Sequence, residues 1–314
     1  RVLFRSPRKL DAGRKLCFWR SRTQTFALRR ELAVASAVGL NPNRAGHRCE
    51  CASVLGVADI DWSAPWLADW RLVGEPIAQR VVAGCPQPQA LTEPALAPVG
   101  FVPQADLPEG QAYEDFIYAT SQVPTREGLH DFFNALCWMH FPLAKKRLNQ
   151  LQAAEIARAG VGQVRGPVRD AATVFDENAL LIQAPDAVWE ALTEHRWQEA
   201  LVDLRAQWAQ VRLWTFGHAA LEKLVQPYKS ITVHLWRVPH AVDAAGLDAW
   251  LAQDLTTDKL ATKPFSPLPV LGVPGWWTPN EAPDFYDDAG VFRPRRLRAK
   301  VEKPYAIQEI GLAA

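Results

Sequence analysis

The chain has 314 residues, of which 48% are hydrophobic, and its 35 basic side chains nearly balance its 34 acidic ones. That balance hides an asymmetry, because residues 1–54 hold 12 basic and 3 acidic residues whereas residues 55–290 hold 17 basic and 29 acidic ones. An acidic body repels nucleic-acid phosphates, and no run of eighteen apolar residues predicts a membrane span. The composition therefore argues against nucleic-acid binding and against a membrane protein.

The charge asymmetry also predicts how the chain is divided. Residues 1–54 are rich in arginine and lack a sustained apolar period, so we expect a non-native or disordered leader, with a basic targeting peptide as the alternative. We expect residues 55–290 to form a single domain, since about 240 residues can bury a sizeable core. Residues 291–314 are predicted to be a basic, mobile tail.

Apolar spacing along the body predicts a mainly helical α+β fold. Proline residues between positions 85 and 103 predict an irregular loop. The segment around Asp176-Glu177-Asn178 predicts a β-hairpin over residues 173–183. Residues 230–238 fit either a strand or a buried helix. Helices are predicted over residues 65–83, 110–120, 143–159, 186–194, 197–225 and 246–257.

The last part of the body has a different pattern. Residues 264–290 combine many prolines with aromatic residues every few positions. Prolines keep a chain extended, and large aromatic side chains gain most free energy when they are buried. We therefore predict a long extended C-terminal arm that packs against the helical part.

Residues 129–142 carry the densest group of reactive and bulky side chains. Helical spacing places Leu129, Phe132 and Phe133 on one apolar face, with Thr125 as the predicted N-cap. His130 and Asn134 lie one turn apart beside that face, where a ring nitrogen and an amide can meet one ligand. In the next helix, Leu148 and Leu151 are predicted to face inward, and Lys145, Lys146 and Arg147 to face solvent.

Two clusters are candidates for chemistry. His130, Asp131 and Asn134 form the first, as a His-Asp pair on a helix is typical of sites that bind a divalent metal. The alternative is structural: Asp131 favours the first helical turn and His130 bonds a carbonyl group.

His218 and Glu222 form the second cluster. Their spacing of four lets Glu222 orient His218 as a base or lets both bind one ion. The same spacing also suits an ordinary helix-stabilising pair. Gly217 just before them indicates close approach by another backbone.

Four separated segments carry a family resemblance: residues 123–149, Phe175 to Asn178, Gly217 to Lys223, and the Pro267 to Pro294 stretch. Together they resemble the bacterial family called domain of unknown function 3025, over roughly residues 55–296. The resemblance leaves the leader outside, and it implies no reaction, cofactor or catalytic residue.

The sequence favours a cytoplasmic enzyme of hydrolytic type. Its predicted pocket brings His130, Asp131 and Asn134 together with His218 and Glu222. In this pocket a histidine acts as the base or as a ligand of a divalent metal. This hypothesis requires the two clusters to lie within about 8 Å in a concave site. The body contains only two cysteines, Cys85 and Cys137, which favours a reducing compartment.

Two other functions remain open. The first alternative is a non-catalytic binding module in which the arm and an aromatic surface hold a partner protein. A weaker third option is nucleic-acid binding through Lys145, Lys146, Arg147 and the basic tail.

Overall fold

The computed structural model describes residues 55–160 and 166–295. The predicted leader and most of the predicted tail lie outside the described residues. The helices are α1 Arg71–Val82, α2 Gln87–Thr92, α3 Tyr113–Thr120, α4 Leu129–His140, α5 Pro142–Ala159, α6 Pro167–Asn178, α7 Asp186–Thr193, α8 His218–Lys223, α9 Leu247–Asp254 and α10 Thr257–Ala261. The strands are β1 Gly100–Pro103, β2 Gln122–Thr125, β3 Ala179–Gln183, β4 Arg212–Thr215, β5 Thr232–Arg237 and β6 Ser266–Pro269.

The strands form two small sheets, so the predicted α+β class is confirmed. Strands β1 and β2 pair in parallel. The larger sheet has the order β4-β3-β5-β6, in which β3 pairs antiparallel with β4 and parallel with β5, and β6 lies antiparallel to β5. Strand β3 is buried along its whole length, as expected for a central strand covered on both faces.

An aromatic cluster joins the helices to this sheet. The ring of Phe175 on α6 lies 4.9 Å from that of Phe216, which follows β4, and 4.9 Å from that of Trp236 on β5. All three side chains are almost fully buried. Their contacts fix the end of α6 against the sheet and against the start of α8.

The predicted hairpin over residues 173–183 is wrong. Residues up to Asn178 complete α6, and β3 begins at Ala179 and pairs with β4 and β5. Val168, Ala171, Ala172 and Phe175 are the buried positions of α6, and their spacing is helical. Asp and Asn are typical of a turn. Here Asp176 and Glu177 instead lie in the last turn of α6, which runs directly into β3.

The long helix predicted over residues 197–225 is also wrong. The chain instead forms a π-helical turn at Glu199–Asp203, a 3-10 turn at Arg205–Gln210, strand β4 and helix α8. Leu201 and Trp208 are buried as predicted. The apolar spacing over residues 197–225 does not reveal that the backbone changes conformation between Leu201 and Trp208.

Two smaller predictions also need correction. The proline-rich loop before Pro103 contains helix α2 and strand β1, because its prolines lie at the helix start and at the strand end, where they are tolerated. Thr125 does not cap α4, since it ends β2. The N-cap is Gly128, whose φ of 127° favours glycine.

The C-terminal segment contains strand β6 followed by 3-10 turns at Val270–Gly272, Thr278–Glu281 and Pro283–Asp287. Phe285, Tyr286 and Phe292 are buried there. The Asn280 side chain donates to the carbonyl groups of Leu271 and Val273 at 2.7 Å each. These contacts hold the segment through both apolar packing and backbone hydrogen bonds.

Gly217 brings α8 against the end of α6. The backbone N–H groups of Phe216 and Gly217 both donate to the carbonyl of Ala179, at 3.0 and 2.9 Å. A Cβ atom at Gly217 would lie 2.5 Å from Cα of Asn178. The sequence prediction of a close backbone approach here is confirmed.

Substituting Gly217→Ala is expected to lower the free energy of unfolding by about 1–3 kcal/mol, the usual cost of overpacking. The added Cβ has backbone on its far side and no flexible side chain to displace. Urea unfolding followed by tryptophan fluorescence measures the change. Gly100→Ala is the control, because nothing lies within 4 Å of its added Cβ; equal effects would contradict the steric explanation.

Candidate functional site

The two clusters predicted from sequence meet in the fold. Nδ1 of His130, from the first turn of α4, lies 2.9 Å from a carboxylate oxygen of Glu222 on α8. Nε2 of His130 lies 3.2 Å from Nε2 of His218, the first residue of α8. The three side chains therefore form one polar row, although His130 and His218 are 88 residues apart in the chain.

The two histidines differ in their exposure. The side chain of His130 is 40% exposed, whereas that of His218 is 6% exposed and lies behind it. Burial lowers the pKa of His218 to about 4, although the charge of Asp176 acts in the opposite direction. His218 is therefore neutral near pH 7 and carries a single ring proton.

The short contact between the two Nε2 atoms needs one proton between them. Either His218 donates its single proton to His130, or a doubly protonated His130 donates to both His218 and Glu222. In both arrangements Glu222 accepts from Nδ1 of His130 and thereby holds the orientation of that ring. Both ring nitrogens of His130 are therefore engaged, Nδ1 by Glu222 and Nε2 by His218.

A buried ion pair supports the histidines from below. Nζ of Lys145 on α5 lies 2.6 Å from Oδ1 of Asp176 on α6, and it also donates to Oδ1 of Asn134 at 2.8 Å. Burial acts to raise the pKa of Asp176, but the charges of Lys145 and His218 keep it below its ordinary value. The other oxygen of Asp176 lies 3.7 Å from Nδ1 of His218.

Asn134 connects this ion pair to the neighbouring helix α3. Its amide nitrogen donates to the hydroxyl oxygen of Tyr113 at 3.2 Å. Burial raises the pKa of Tyr113 well above its ordinary value, so the hydroxyl group keeps its proton. Asn134 was predicted as a site residue, and the structure places it as the link between Lys145 and Tyr113.

Asp131 is paired with Arg126 and not with a histidine. Its carboxylate accepts from Nε and Nη2 of Arg126 at 2.9 and 3.0 Å and from the Arg126 backbone N–H at 2.7 Å. This bidentate contact raises the pKa of Arg126 and joins the residue after β2 to the first turn of α4. Asp131 lines the same cavity as His130 but is not hydrogen-bonded to either histidine.

These residues surround a cavity of about 460 Å³. Of the five predicted site residues, His130, Asp131, Asn134 and His218 line it, and Glu222 contacts His130 from outside the lining. Lys145 lies below the cavity and Asp176 lines it. The clusters are thus close together and beside a concave space, as the enzyme hypothesis required.

Sequence reasoning missed Lys145 and Asp176. The prediction that Lys145 faces solvent is wrong, because its side chain is 5% exposed. A signal was present: Lys145 precedes Leu148, Asn149 and Gln152 by three, four and seven positions, and all of these are buried on one face of α5. The backbone N–H groups of Leu143 and Ala144 are capped by the Asp248 carboxylate, which fixes the start of this helix.

The described residues contain no preformed metal site with three or more protein ligands. In residues 55–160 and 166–295, no group of three or more His, Cys, Asp and Glu side chains is arranged to hold a metal ion. Within the same residues, no helix has both the length and the apolar character needed to cross a bilayer. The two cysteines of this part, Cys85 and Cys137, are free, and the Cys137 thiol donates to the Phe216 carbonyl at 3.1 Å.

The fold and the site define an α+β protein with a histidine pair backed by buried carboxylate and ammonium groups. A family model described as Protein of unknown function (DUF3025) matches residues 99–296, and the chain belongs to this family. All of the site residues lie inside the matched segment, whereas α1 and α2 precede it. Neither the curated proteins nor the solved structures contain a significant match to the chain.

The substitution Lys145→Met is expected to lower the free energy of unfolding by about 3–5 kcal/mol, because it leaves the Asp176 carboxylate buried without its cation. Lys146→Met makes the same chemical change at the next, exposed position and should cost less than about 1 kcal/mol. Urea unfolding of both variants measures the difference. Similar losses in the two variants would show that the buried ion pair is not a major support.

Proposed function

We propose that this protein is a hydrolytic enzyme in which His130 acts as the general base. One observation carries the proposal: the half-exposed His130 contacts Glu222 through one ring nitrogen and His218 through the other, at the edge of a cavity. A general base needs a defined tautomer, which the contact between Nδ1 and Glu222 supplies, and a free nitrogen, which Nε2 becomes when a water molecule replaces His218 there. We expect the enzyme to work in the reducing cytoplasm, since both described cysteines are free.

The proton transfer follows from the ring contacts. With Nδ1 of His130 donating to Glu222, Nε2 of the neutral ring is the acceptor. A water molecule that replaces His218 at Nε2 can be deprotonated there as it attacks the substrate. Glu222 then stabilises the resulting imidazolium, and His130 later returns its proton to the leaving group.

The buried residues act as positioning groups in this proposal. Lys145 joins α5 to Asp176 on α6 and to Asn134 on α4, and these contacts hold the three helices around the cavity. Neutral His218 can donate one hydrogen bond but adds no positive charge beside His130.

A divalent metal would also suit the histidine pair. Two nitrogen ligands of a tetrahedral zinc ion, each about 2.0–2.1 Å from the metal, lie about 3.3 Å apart, and the two Nε2 atoms are 3.2 Å apart. A carboxylate is placed behind Nδ1 of each ring, at 2.9 Å for Glu222 and 3.7 Å for Asp176. Such carboxylates commonly orient metal-binding histidines. The remaining ligands would then be water or substrate.

The proposal is tested with a panel of 4-nitrophenyl esters and phosphates, together with metal analysis of the purified chain. His130→Ala should lower the rate of the hydrolysed substrate by about 10²–10⁴-fold, the usual contribution of a general base, and Glu222→Gln should lower it less. His240→Ala, at an exposed histidine outside the cavity, is the matched control. Activity that survives in His130→Ala would contradict the assigned role.

A second function is favoured by a separate observation. A larger cavity, of about 730 Å³, is lined by the aromatic rings of Trp189, Trp197 and Phe265 and by several prolines. Its described lining contains no aspartate or glutamate. An aromatic concave surface that also carries Arg293 and Arg295 suits a protein-binding module, in which Trp, Phe and Arg side chains anchor a partner.

This alternative predicts a different pattern of variants. A partner protein should bind to the wild-type chain and to His130→Ala with equal affinity, whereas Trp189→Ala should weaken binding by at least tenfold, since buried tryptophans dominate interface energies. Surface plasmon resonance with the co-purified partner measures both affinities. Unchanged binding by Trp189→Ala would exclude this cavity as the interface.

The nucleic-acid option loses its main support. This option relied on the basic tail, most of which lies outside the described residues, and on three residues of α5. Of these three, Lys145 is buried in an ion pair and Arg147 donates to the Leu255 carbonyl at 3.1 Å. Lys146 is the exposed member of the group. One exposed lysine does not make a phosphate-binding patch.

A further inference from the structure

We propose that Arg169 binds an anionic group of the substrate, a carboxylate or a phosphate, at the end of the 460 Å³ cavity away from Asp176. The inference rests on the proposed hydrolytic function, because it names the class of molecule on which the His130 site acts. It depends on whether the guanidinium group of Arg169, which lines the cavity, has a partner in the protein.

Arg169 differs from the other cations at this site. Arg126 is bound by Asp131, and Lys145 is bound by Asp176. Within the described part of the chain, Arg169 makes no ion pair, and its Nε atom is buried without a hydrogen-bond partner. A buried N–H group of a charged side chain is costly to leave unsatisfied, so an acceptor is expected to enter the cavity.

The nearby carboxylates are engaged elsewhere. Glu114 accepts a hydrogen bond from Asn149 at 2.7 Å. Burial raises the pKa of Glu114, and the charge of Arg169 offsets only part of that rise. Glu155 is bound by Arg158 at 2.8 Å. The charge of Arg169 acts on both carboxylates, but among the described residues neither forms an ion pair with it, and the guanidinium remains available to an anion.

The chemistry of the group selects the ligand class. A guanidinium presents a planar set of N–H donors that matches two oxygens of a carboxylate or a phosphate, and it keeps its charge at any physiological pH. The described body is acidic overall, so a local unpaired cation is also needed for an anionic substrate to enter.

The helix sets the length of the substrate. Arg169 and Asp176 lie in the first and last turns of α6, seven positions apart, and both line the cavity. Seven residues correspond to about 10 Å along a helix axis and two complete turns, so the two side chains share a face. Asp176 lies beside His218. The anionic group should therefore be about 10 Å from the bond that is cleaved.

A binding measurement tests this assignment independently of activity. Suberate and inorganic phosphate are titrated calorimetrically into the full chain and into Arg169→Gln, Arg169→Lys and Arg212→Gln. Binding of either anion to the wild type, retained in Arg212→Gln and weakened at least tenfold in Arg169→Gln, supports the proposal. Arg169→Lys should be intermediate, because it keeps the charge but loses the planar fork. Absence of binding to the wild type, or equal binding by Arg169→Gln, overturns it.

A kinetic measurement then separates this inference from the proposed function. The wild type is assayed with 4-nitrophenyl monoesters of succinate, adipate and suberate and with the uncharged 4-nitrophenyl octanoate. We expect the suberate ester to be preferred at least tenfold over octanoate, with the preference lost in Arg169→Gln through a higher KM. Anion binding at Arg169 without any hydrolysis would reject the hydrolase and retain the anion site. Hydrolysis that needs His130 but shows neither anion binding nor anion preference would retain the hydrolase and reject the role of Arg169.

Discussion

The ion pair between Lys145 and Asp176 is the interaction on which the site depends. It joins α5 to α6, reaches α4 through Asn134 and approaches α8 through His218. A buried charge is stable only when its partner and its hydrogen bonds are complete. Helices α4, α5, α6 and α8 are therefore held in a single arrangement, in which the partly exposed His130 lies next to buried polar groups.

The histidine pair shows how burial divides roles between identical side chains. His218 lies below the surface and stays neutral over the physiological range, whereas His130 reaches the cavity and contacts a carboxylate. A neighbouring second charge would oppose protonation of His130. Because it is buried, His218 stays uncharged, and its Nε2 atom still lies within hydrogen-bonding distance of His130.

Local sequence patterns predicted parts of this arrangement well. The helical spacing around Leu129 and Phe132 located α4. His218 and Glu222 do share a helix as predicted, although α8 is far shorter than the helix predicted over residues 197–225. Gly217 indicated a close approach because only glycine lacks a Cβ. Each of these predictions uses neighbours within a few residues, where chain geometry is almost fixed by conformation.

The failures all involve long-range partners. Asp176 resembled a turn residue because its stabilising contacts come from Lys145 and His218, which are distant in the sequence. Lys145 resembled a surface residue because it stands in a run of three cations. Strand β4 was hidden within an apolar stripe, since its pairing with β3 is decided by the sheet and not by its own period. The partner of His130, Glu222, is 92 residues away, and no local pattern specifies that contact.

The close contact at Gly217 makes the site depend on a late part of the chain. At Gly217 the helix that bears His218 meets the end of the helix that bears Asp176 through backbone atoms, and the strand that follows Asp176 is an inner strand of its sheet. A shortened chain that ended before α8 would keep Lys145 and Asp176 but would open them to water on the side now covered. The row formed by His130, His218 and Glu222 is thus complete only once the late part of the polypeptide has docked, so incompletely synthesised or clipped molecules lack the histidine pair.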